Sequence, residues 1–380
     1  MRFDVKFRVL LIFFVLLGNL LVSENLTIWV SWEGLSFFEE KSEEFNKYTG
    51  HNVEILFVPD MEEKLLTSIR TGNLPDLALI KDVHSVYLTH VNTLYRIKDE
   101  DLEQLGSFRE EDLRVFSVNN EVVAIPYYAD LQVAFVNQRI SKELGLEFTF
   151  DYTIDDIKEI KKNLENSEII PVAWDFMSPY VFYPFLAHGA ELIDKSGKLQ
   201  MDTGSLAKTI RNIKELFDKK VFERYERGAL VEGFSSGRMV IIFQGSYLSL
   251  TFEQNEINFE ILPFPIMNGK RIKGLIDSKG FAILNSVKED VALEFIDFLY
   301  SISTSFCEKY YKVPLWTESD SKKLKDLRAV LKESQYMEQG EKFQRLYFRV
   351  MGTVLQTVYS GTMSVEESLQ NAQEFVNKNW

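Results

Sequence analysis

Cysteine is nearly absent: the chain of 380 residues has one, Cys307. A single thiol excludes an intrachain disulfide and any cysteine-rich metal or redox centre. Glycine (19) and proline (9) are sparse beside 30 phenylalanines, which excludes a collagen-like or low-complexity chain. Positive charge is the minority sign, with 43 Lys and Arg against 57 Asp and Glu and a net charge of −14. Such a chain lacks the basic surface that replaces phosphate counterions, so no nucleic-acid partner is expected. Neither GxxxxGK[ST] nor GxGxxG occurs, and His51, His84, His90 and His188 lack HExxH-type spacing. No cofactor and no metal site is therefore expected. What is plentiful is apolar material, 46% of residues with 13% aromatic. That is enough to offset ordering entropy in two domains or one large bilobed one.

The first residues stand apart. Arg2, Lys6 and Arg8 precede an unbroken apolar run over 9–17, and Leu21-Val22-Ser23 ends in a small residue before Glu24. This layout predicts a secretory signal peptide over 1–23, cleaved on export to the periplasm or the extracellular space. The run is shorter than the roughly 20 residues a membrane helix needs, and no later segment is long and apolar enough to cross.

In the remainder, 26–31 reads as an apolar strand, 35–49 as a helix stopped by Gly50, and 51–58 as a second strand. Asp60-Met61-Glu62-Glu63 predicts a capping box for a helix running to Gly72, and 77–80 a third strand. Strands apolar on both faces alternating with helices predict an α/β fold with a parallel sheet covered by helices. Residues 115–136 interrupt the alternation with sheet segments around an Asn119-Asn120 turn. It resumes with a helix near 153–166, a strand at 169–173, and helices near 180–188 and 205–219. Strands are expected at 239–243, 259–262 and 281–284, and mostly helix from 291, with a capping box at Ser364-Val365-Glu366-Glu367. Two α/β lobes joined by extended crossings fit this order.

Catalytic signatures are weak. Gly233-Phe234-Ser235-Ser236-Gly237 satisfies G-x-S-x-G, but a nucleophile elbow needs a strand before the serine and a helix after it. Here a charged helical segment comes first and a strand follows. Cys307, among Phe306, Tyr310 and Tyr311, reads as a small buried hydrophobe. Asp130 stands out among the carboxylates for its apolar setting, which suits a salt-bridged hinge residue as well as a functional acid. Ligands of open parallel sheets bind beyond the carboxyl ends of the strands. Trp32-Glu33, Lys81-Asp82, Trp174-Asp175 and Gln244 to Tyr247 all fall at such ends. Aromatic rings with carboxylates and amides suit a sugar, whose C–H face packs on a ring while its hydroxyls hydrogen-bond.

Longer stretches carry a family likeness. LTIWVSWEG, FNKYTGHNVEILFV, EEKLLTSIRTGNLPDLALI with Gly72, Pro75 and Asp76 in register, EVVAIPYYADLQVAFVNQ, SPYVFYPFLAHGAEL, FSSGRMVIIFQGSY and GTMSVEESLQNAQEF together span about residues 26 to 376. On these the chain resembles the extracellular solute-binding proteins of ABC sugar importers, in particular the maltodextrin-binding branch. The resemblance implies a two-lobed, type II periplasmic-binding-protein-like fold, each lobe a mostly parallel sheet flanked by helices, with the ligand cleft between them. It implies a first lobe of 24–128 and 279–318 and a second of 129–277 and 324–380. Asp130 matches an acid that bonds sugar hydroxyls at the crossing, Tyr180 a second-lobe aromatic, and Trp32 and Glu33 the first ligand loop. Asp82 falls near an acidic ligand. Tyr247 and Phe348 stand where aromatic platforms, usually Trp, are found, whereas Ile80 replaces a stacking aromatic. The expected ligand-binding set is Trp32, Glu33, Asp82, Tyr128, Asp130, Trp174, Tyr180, Tyr247, Asp277 and Phe348. The function implied is capture of a sugar, an oligosaccharide above all, by a non-catalytic monomer and its delivery to the permease subunits of an ABC transporter. Two alternatives stay open on the residues: a secreted glycoside hydrolase using Asp130 and a partner acid, or the same scaffold on a peptide, polyamine or metal chelate.

Overall fold

The computed structural model describes residues 23–164, 167–175, 177–316 and 321–380. The expected signal segment, apart from Ser23, lies outside the described residues. Among those described, no helix is long and apolar enough to cross a membrane.

Ten strands form the main sheet: β1 (Asn25–Val30), β2 (Asn52–Phe57), β3 (Leu77–Lys81), β4 (Ile125–Asn137), β5 (Ile170–Trp174), β6 (Phe222–Arg224), β7 (Met239–Gly245), β8 (Phe259–Leu262), β9 (Ile276–Ile283) and β10 (Val313–Pro314). Their order is β2-β1-β3-β9-β4-β7-β5-β6, with β8 and β10 also pairing to β4. The outer strands are parallel, β1 to β2 and β3 at one end and β5 to β6 and β7 at the other. The central strands β9 and β4 run antiparallel to their neighbours.

Helices cover the sheet because their apolar stripes have nowhere else to go. The Leu35–Thr49 helix buries Phe37, Phe38 and Phe45, and Gly50 ends it in the left-handed region at φ 79°, donating its N–H to the Asn46 carbonyl. In the second lobe, helices Pro179–Gly189, Gly204–Asp218, Glu341–Tyr359 and Val365–Asn379 pack on β5 and β7 around one apolar cluster. Each fully buried Phe or Leu there is worth roughly 1.5–3 kcal/mol.

The join between lobes is a property of β4, whose 13 residues are all buried. At about 3.3 Å per residue such a strand reaches roughly 43 Å. Residues 125–131 pair with β9 and β10, and residues 132–137 pair with β7 and β8. The strand therefore changes partners between Leu131 and Gln132, one residue past Asp130.

Local expectations fare unevenly. Asn119 and Asn120 are both left-handed (φ 54° and 66°) in a hairpin joining Ser117–Val118 to Glu121–Val122, as a two-residue turn of that twist requires. Thr153 and Asp156 form a reciprocal cap, and the Ser364 hydroxyl accepts from the Glu367 N–H. The expected side-chain cap at Asp60 is not formed: Asp60 is left-handed (φ 52°), and only its carbonyl accepts from the Met61–Thr71 helix, from the Lys64 N–H. Around Gly233 to Gly237, helix Arg227–Ser235 precedes and β7 follows, the reverse of a nucleophile elbow.

Candidate functional site

A cavity of about 1300 Å³ lies between the lobes. Its first-lobe wall includes Trp32, Glu62, Arg70, Lys81, Asp82, His84 and Tyr87, its floor Ile276 and Asp277, and its second-lobe wall Tyr180, Met337, Glu341, Gln344, Arg345 and Phe348. The sheet's direction puts these residues here. Trp32 lies just past the end of β1, while Lys81 ends β3 and Asp82 opens the turn after it. Trp32 is held at φ 63°, a conformation that costs a non-glycine residue about 1–3 kcal/mol and persists only where its surroundings impose it. Tyr180 is in the first turn of helix Pro179–Gly189, and Phe348, 38% exposed, projects from helix Glu341–Tyr359.

Beneath the cavity the crossing strands carry a ladder of buried charge. Lys279 is paired with Lys81 across β9 and β3, and Asp277 with Asp130 across β9 and β4. Like charges directly opposite each other destabilise a sheet. Here the opposite charges meet along the diagonals and along β9 itself. Lys81 Nζ is 3.2 Å from Asp277 Oδ2, Lys279 Nζ is 2.9 Å from Asp130 Oδ2, and Lys279 Nζ is 3.0 Å from Asp277 Oδ2. Lys312, fully buried before β10, donates to Asp130 Oδ1 at 2.7 Å and to Glu33 Oε2 at 3.1 Å. Burial acts to raise both carboxyls, but the Lys279 ammonium outweighs it, with Lys312 for Asp130 and Lys81 for Asp277, and holds both below the ordinary carboxylate range. Burial likewise acts to lower Lys279, and its two carboxylate partners more than reverse that.

Asp82 and His84 have the opposite character. Asp82 is 3% exposed and forms no ion pair with any described residue; burial, then the nearby Asp277 charge, pushes its carboxyl up to about 7. The His84 ring sits between Trp32 and Tyr87, with centroids 6.5 and 6.4 Å away. Burial, then the Lys81 charge, pushes its imidazole down to about 3, and its Nδ1 is buried without a hydrogen-bond partner. The cavity thus offers a largely neutral polar patch beside an aromatic wall, above a fully paired ionic floor. Among the described residues, no three His, Cys, Asp or Glu side chains gather closely enough to hold a metal ion.

A bilobed sheet with a cavity at the lobe junction invites comparison with known binding proteins. The family profile described as bacterial extracellular solute-binding protein matches residues 30–303. The chain belongs to that family. Among solved structures, maltose-bound MalE3 of T. maritima shares its fold with a TM-score of 0.76. The two are 17% identical, over 93% of this chain and 99% of that one. No curated protein sequence matches the chain.

In this solute-binding protein the expected ligand residues separate into three groups. Trp32, Asp82, Tyr180, Asp277 and Phe348 line the cavity. Glu33 and Tyr247 are outside that lining, Glu33 held by Lys312 and Tyr247 by Arg227. Tyr128, Asp130 and Trp174 are buried away from the cavity lining. Trp174 is the last residue of β5 rather than the first beyond it, so its side chain follows the strand's alternation into the core. There it is fully buried, 4.3 Å from Phe185 and stacked on Phe182 at 5.5 Å. Tyr128 is also fully buried, with Phe306 at 5.2 Å and the Lys279 and Lys312 ammoniums over its ring. Asp130, 4% exposed, has both oxygens held by lysines.

Sequence reasoning missed Lys279, Lys312, His84, Tyr87 and Arg227. One signal was readable: Asp277 and Lys279 are two charges at i, i+2, on one face of a strand with no other charged residue. Tyr247 depends on a glycine. A Cβ at Gly245 would lie 2.1 Å from the Tyr247 ring, whereas the Gly245 backbone itself (φ −75°) suits any residue. Gly245→Ala is therefore expected to move the ring while leaving the melting temperature within a few degrees. A near-ultraviolet circular dichroism change with an unaltered far-ultraviolet spectrum would register it; unchanged spectra in both regions would refute it.

Proposed function

We propose that this solute-binding protein captures a saccharide between its lobes and delivers it to the permease of an ABC importer. The observation that carries the reading is the cavity itself. Trp32, Tyr87, Tyr180 and Phe348 offer aromatic surface from both lobes, with Glu62, Asp82, Asp277 and Gln344 among them for hydroxyl groups. Contacts made to both lobes at once favour the closed form by differential affinity. The partner change within β4 supports placing the lobe boundaries in the crossing strands, near 128/129 and 277/279. The family's extracellular membership supports export, with 1–23 as the cleaved address and the periplasm or cell exterior as the place of work. A monomer that binds and releases is the form this reading takes.

Thermal shift across malto-oligosaccharides, other sugars, amino acids, peptides and polyamines tests it, since a ligand of the native state raises the melting temperature. A sugar is expected to give the largest shift. Trp32→Ala and Phe348→Ala are each expected to weaken its binding by about tenfold or more. A shift confined to peptides or polyamines, or full affinity in both variants, would refute the assignment.

One observation favours a second reading. Asp82 and Asp277 have carboxyls pushed apart, up and down, which is the pattern of an acid and base pair. Against it, Asp277 Oδ2 is already held by both Lys81 and Lys279. Recovery of the bound oligosaccharide intact after prolonged incubation supports the transport reading; turnover abolished by Asp82→Asn supports the hydrolase.

A further inference from the structure

Tyr247 stands where the family resemblance places a stacking ring, yet its face is not open. The Arg227 guanidinium carbon lies 4.5 Å from the centroid of that ring. Arg227 Nε–H donates to the Tyr247 hydroxyl oxygen at 3.1 Å, and the Tyr247 hydroxyl donates to Gln244 Oε1 at 3.0 Å. The ring thus carries an oriented arginine plane on one of its faces. Tyr247 follows the end of β7 at the crossing between lobes: Gly245 pairs with Gln132, the Gln132 amide donates to the Tyr180 carbonyl, and the Ser246 hydroxyl donates to Asp130 Oδ1.

Arg227 is exposed, opens helix Arg227–Ser235, and forms no ion pair with any described residue. Trp32 also has cations near its ring, Lys81 at 5.6 Å and Lys279 at 5.7 Å, but both are committed to Asp277 or Asp130. Arg70 and Arg345 on the cavity wall have no comparable bond to any described residue. Asp175 and Glu226 carry charge close to Arg227 without reaching ion-pair distance. Their repulsion disfavours capture of a free anion by charge alone and leaves the fixed geometry of the guanidinium to discriminate. A planar fork with its terminal N–H groups unspent matches the two oxygens of a carboxylate, which an ammonium cannot reproduce.

We propose that the Tyr247 end of the cleft recognises a sugar unit bearing a carboxylate, a uronic acid, through the guanidinium fork of Arg227. This rests on the saccharide reading and names its class. The test is calorimetric titration of the mature chain with oligosaccharides containing glucuronate or galacturonate, and with the same compounds after reduction of the carboxyl to the alcohol. The acidic form is expected to bind about tenfold tighter or more. In Arg227→Gln the ratio of the two affinities falls to near one, and Arg227→Lys restores at most part of it. Equal affinity for both forms in the wild type, or a preference untouched by Arg227→Gln, overturns this inference and leaves the saccharide reading standing. Binding of neither form, nor of any other saccharide, overturns both. Melting temperatures of the two variants within a few degrees of wild type establish that the ratio reports recognition rather than folding.

Discussion

Lys279→Met is expected to destabilise the protein by about 3–5 kcal/mol, because it removes a shared partner from the buried Asp130 and the partly buried Asp277. Lys279 is 2% exposed and bridges Asp130 and Asp277 at 2.9 and 3.0 Å. Methionine fills the volume, so the loss is electrostatic rather than a cavity. Asp130 keeps Lys312 and Asp277 keeps Lys81. Those remaining bonds leave two carboxylate charges facing each other across β9 and β4 with the ammonium between them gone. The second change follows directly. In Lys279→Met/Asp277→Asn the surplus negative charge is removed, Asp130 retains Lys312, and the freed Lys81, 31% exposed, can turn to water. The double variant is expected to recover most of the loss, with a coupling energy of about 1–3 kcal/mol in the cycle. Chemical denaturation read by fluorescence and circular dichroism measures both variants and the Asp277→Asn single that closes the cycle. A single variant costing under about 1 kcal/mol would mean that the ladder is dispensable.

That ladder shows where a sequence stops being legible. Helix Leu35–Thr49 was readable to the residue because its stripe and the glycine that ends it are local signals. The hairpin at Asn119-Asn120 was readable for the same reason. Trp174 was misplaced by one residue at a strand end, and with a side-chain period of two, one residue is the difference between cleft and core. Asp60 looked like a cap in sequence, but its backbone turns into the left-handed region and its side chain forms no cap bond. Lys279 and Lys312 meet Asp130 from 149 and 182 residues away, so no window along the chain contains the pair. Asp130 could be singled out by its apolar neighbours, but whether that setting served a ligand or a lysine depended on partners the local sequence does not name. The aromatic platforms divide similarly. Trp32 and Phe348 reach the cavity, whereas the face of Tyr247 is taken by Arg227, 20 residues away on a preceding helix. Family likeness located that position; side-chain geometry determined what it presents.

The cavity wall should also give the protein two opposed responses to pH. Asp82 has a carboxyl raised from 3.8 to about 7, so between those values the native state holds a proton that the unfolded chain has released. Stability from this residue is fully present below the lower value and is lost as pH rises through the upper one, at up to about 1.4 kcal/mol per pH unit and about 4 kcal/mol in all. His84 runs the other way. Its imidazole is lowered from 6.5 to about 3, so across that interval the unfolded chain binds the extra proton and stability climbs with pH. The windows overlap from about 4 to about 6.5, and there the two slopes largely offset each other in the wild type. Each variant unmasks its partner. Relative to wild type, Asp82→Asn is expected to gain stability as pH rises from 4 to 7, becoming the more stable protein by pH 8. His84→Gln is expected to lose stability relative to wild type over nearly the same range, since only the Asp82 slope remains. Differences between variant and wild type cancel the background from other titrating groups, including His188 and Glu338. Denaturant midpoints at half-unit intervals from pH 4 to 8 provide the measurement. Parallel profiles for wild type and both variants would show that neither side chain is held neutral in the cleft. Slopes of opposite sign would establish that Trp32 and Tyr87 enclose an uncharged imidazole beside a protonated acid. That arrangement would let the cavity donate as well as accept hydrogen bonds where it meets a polyhydroxyl ligand.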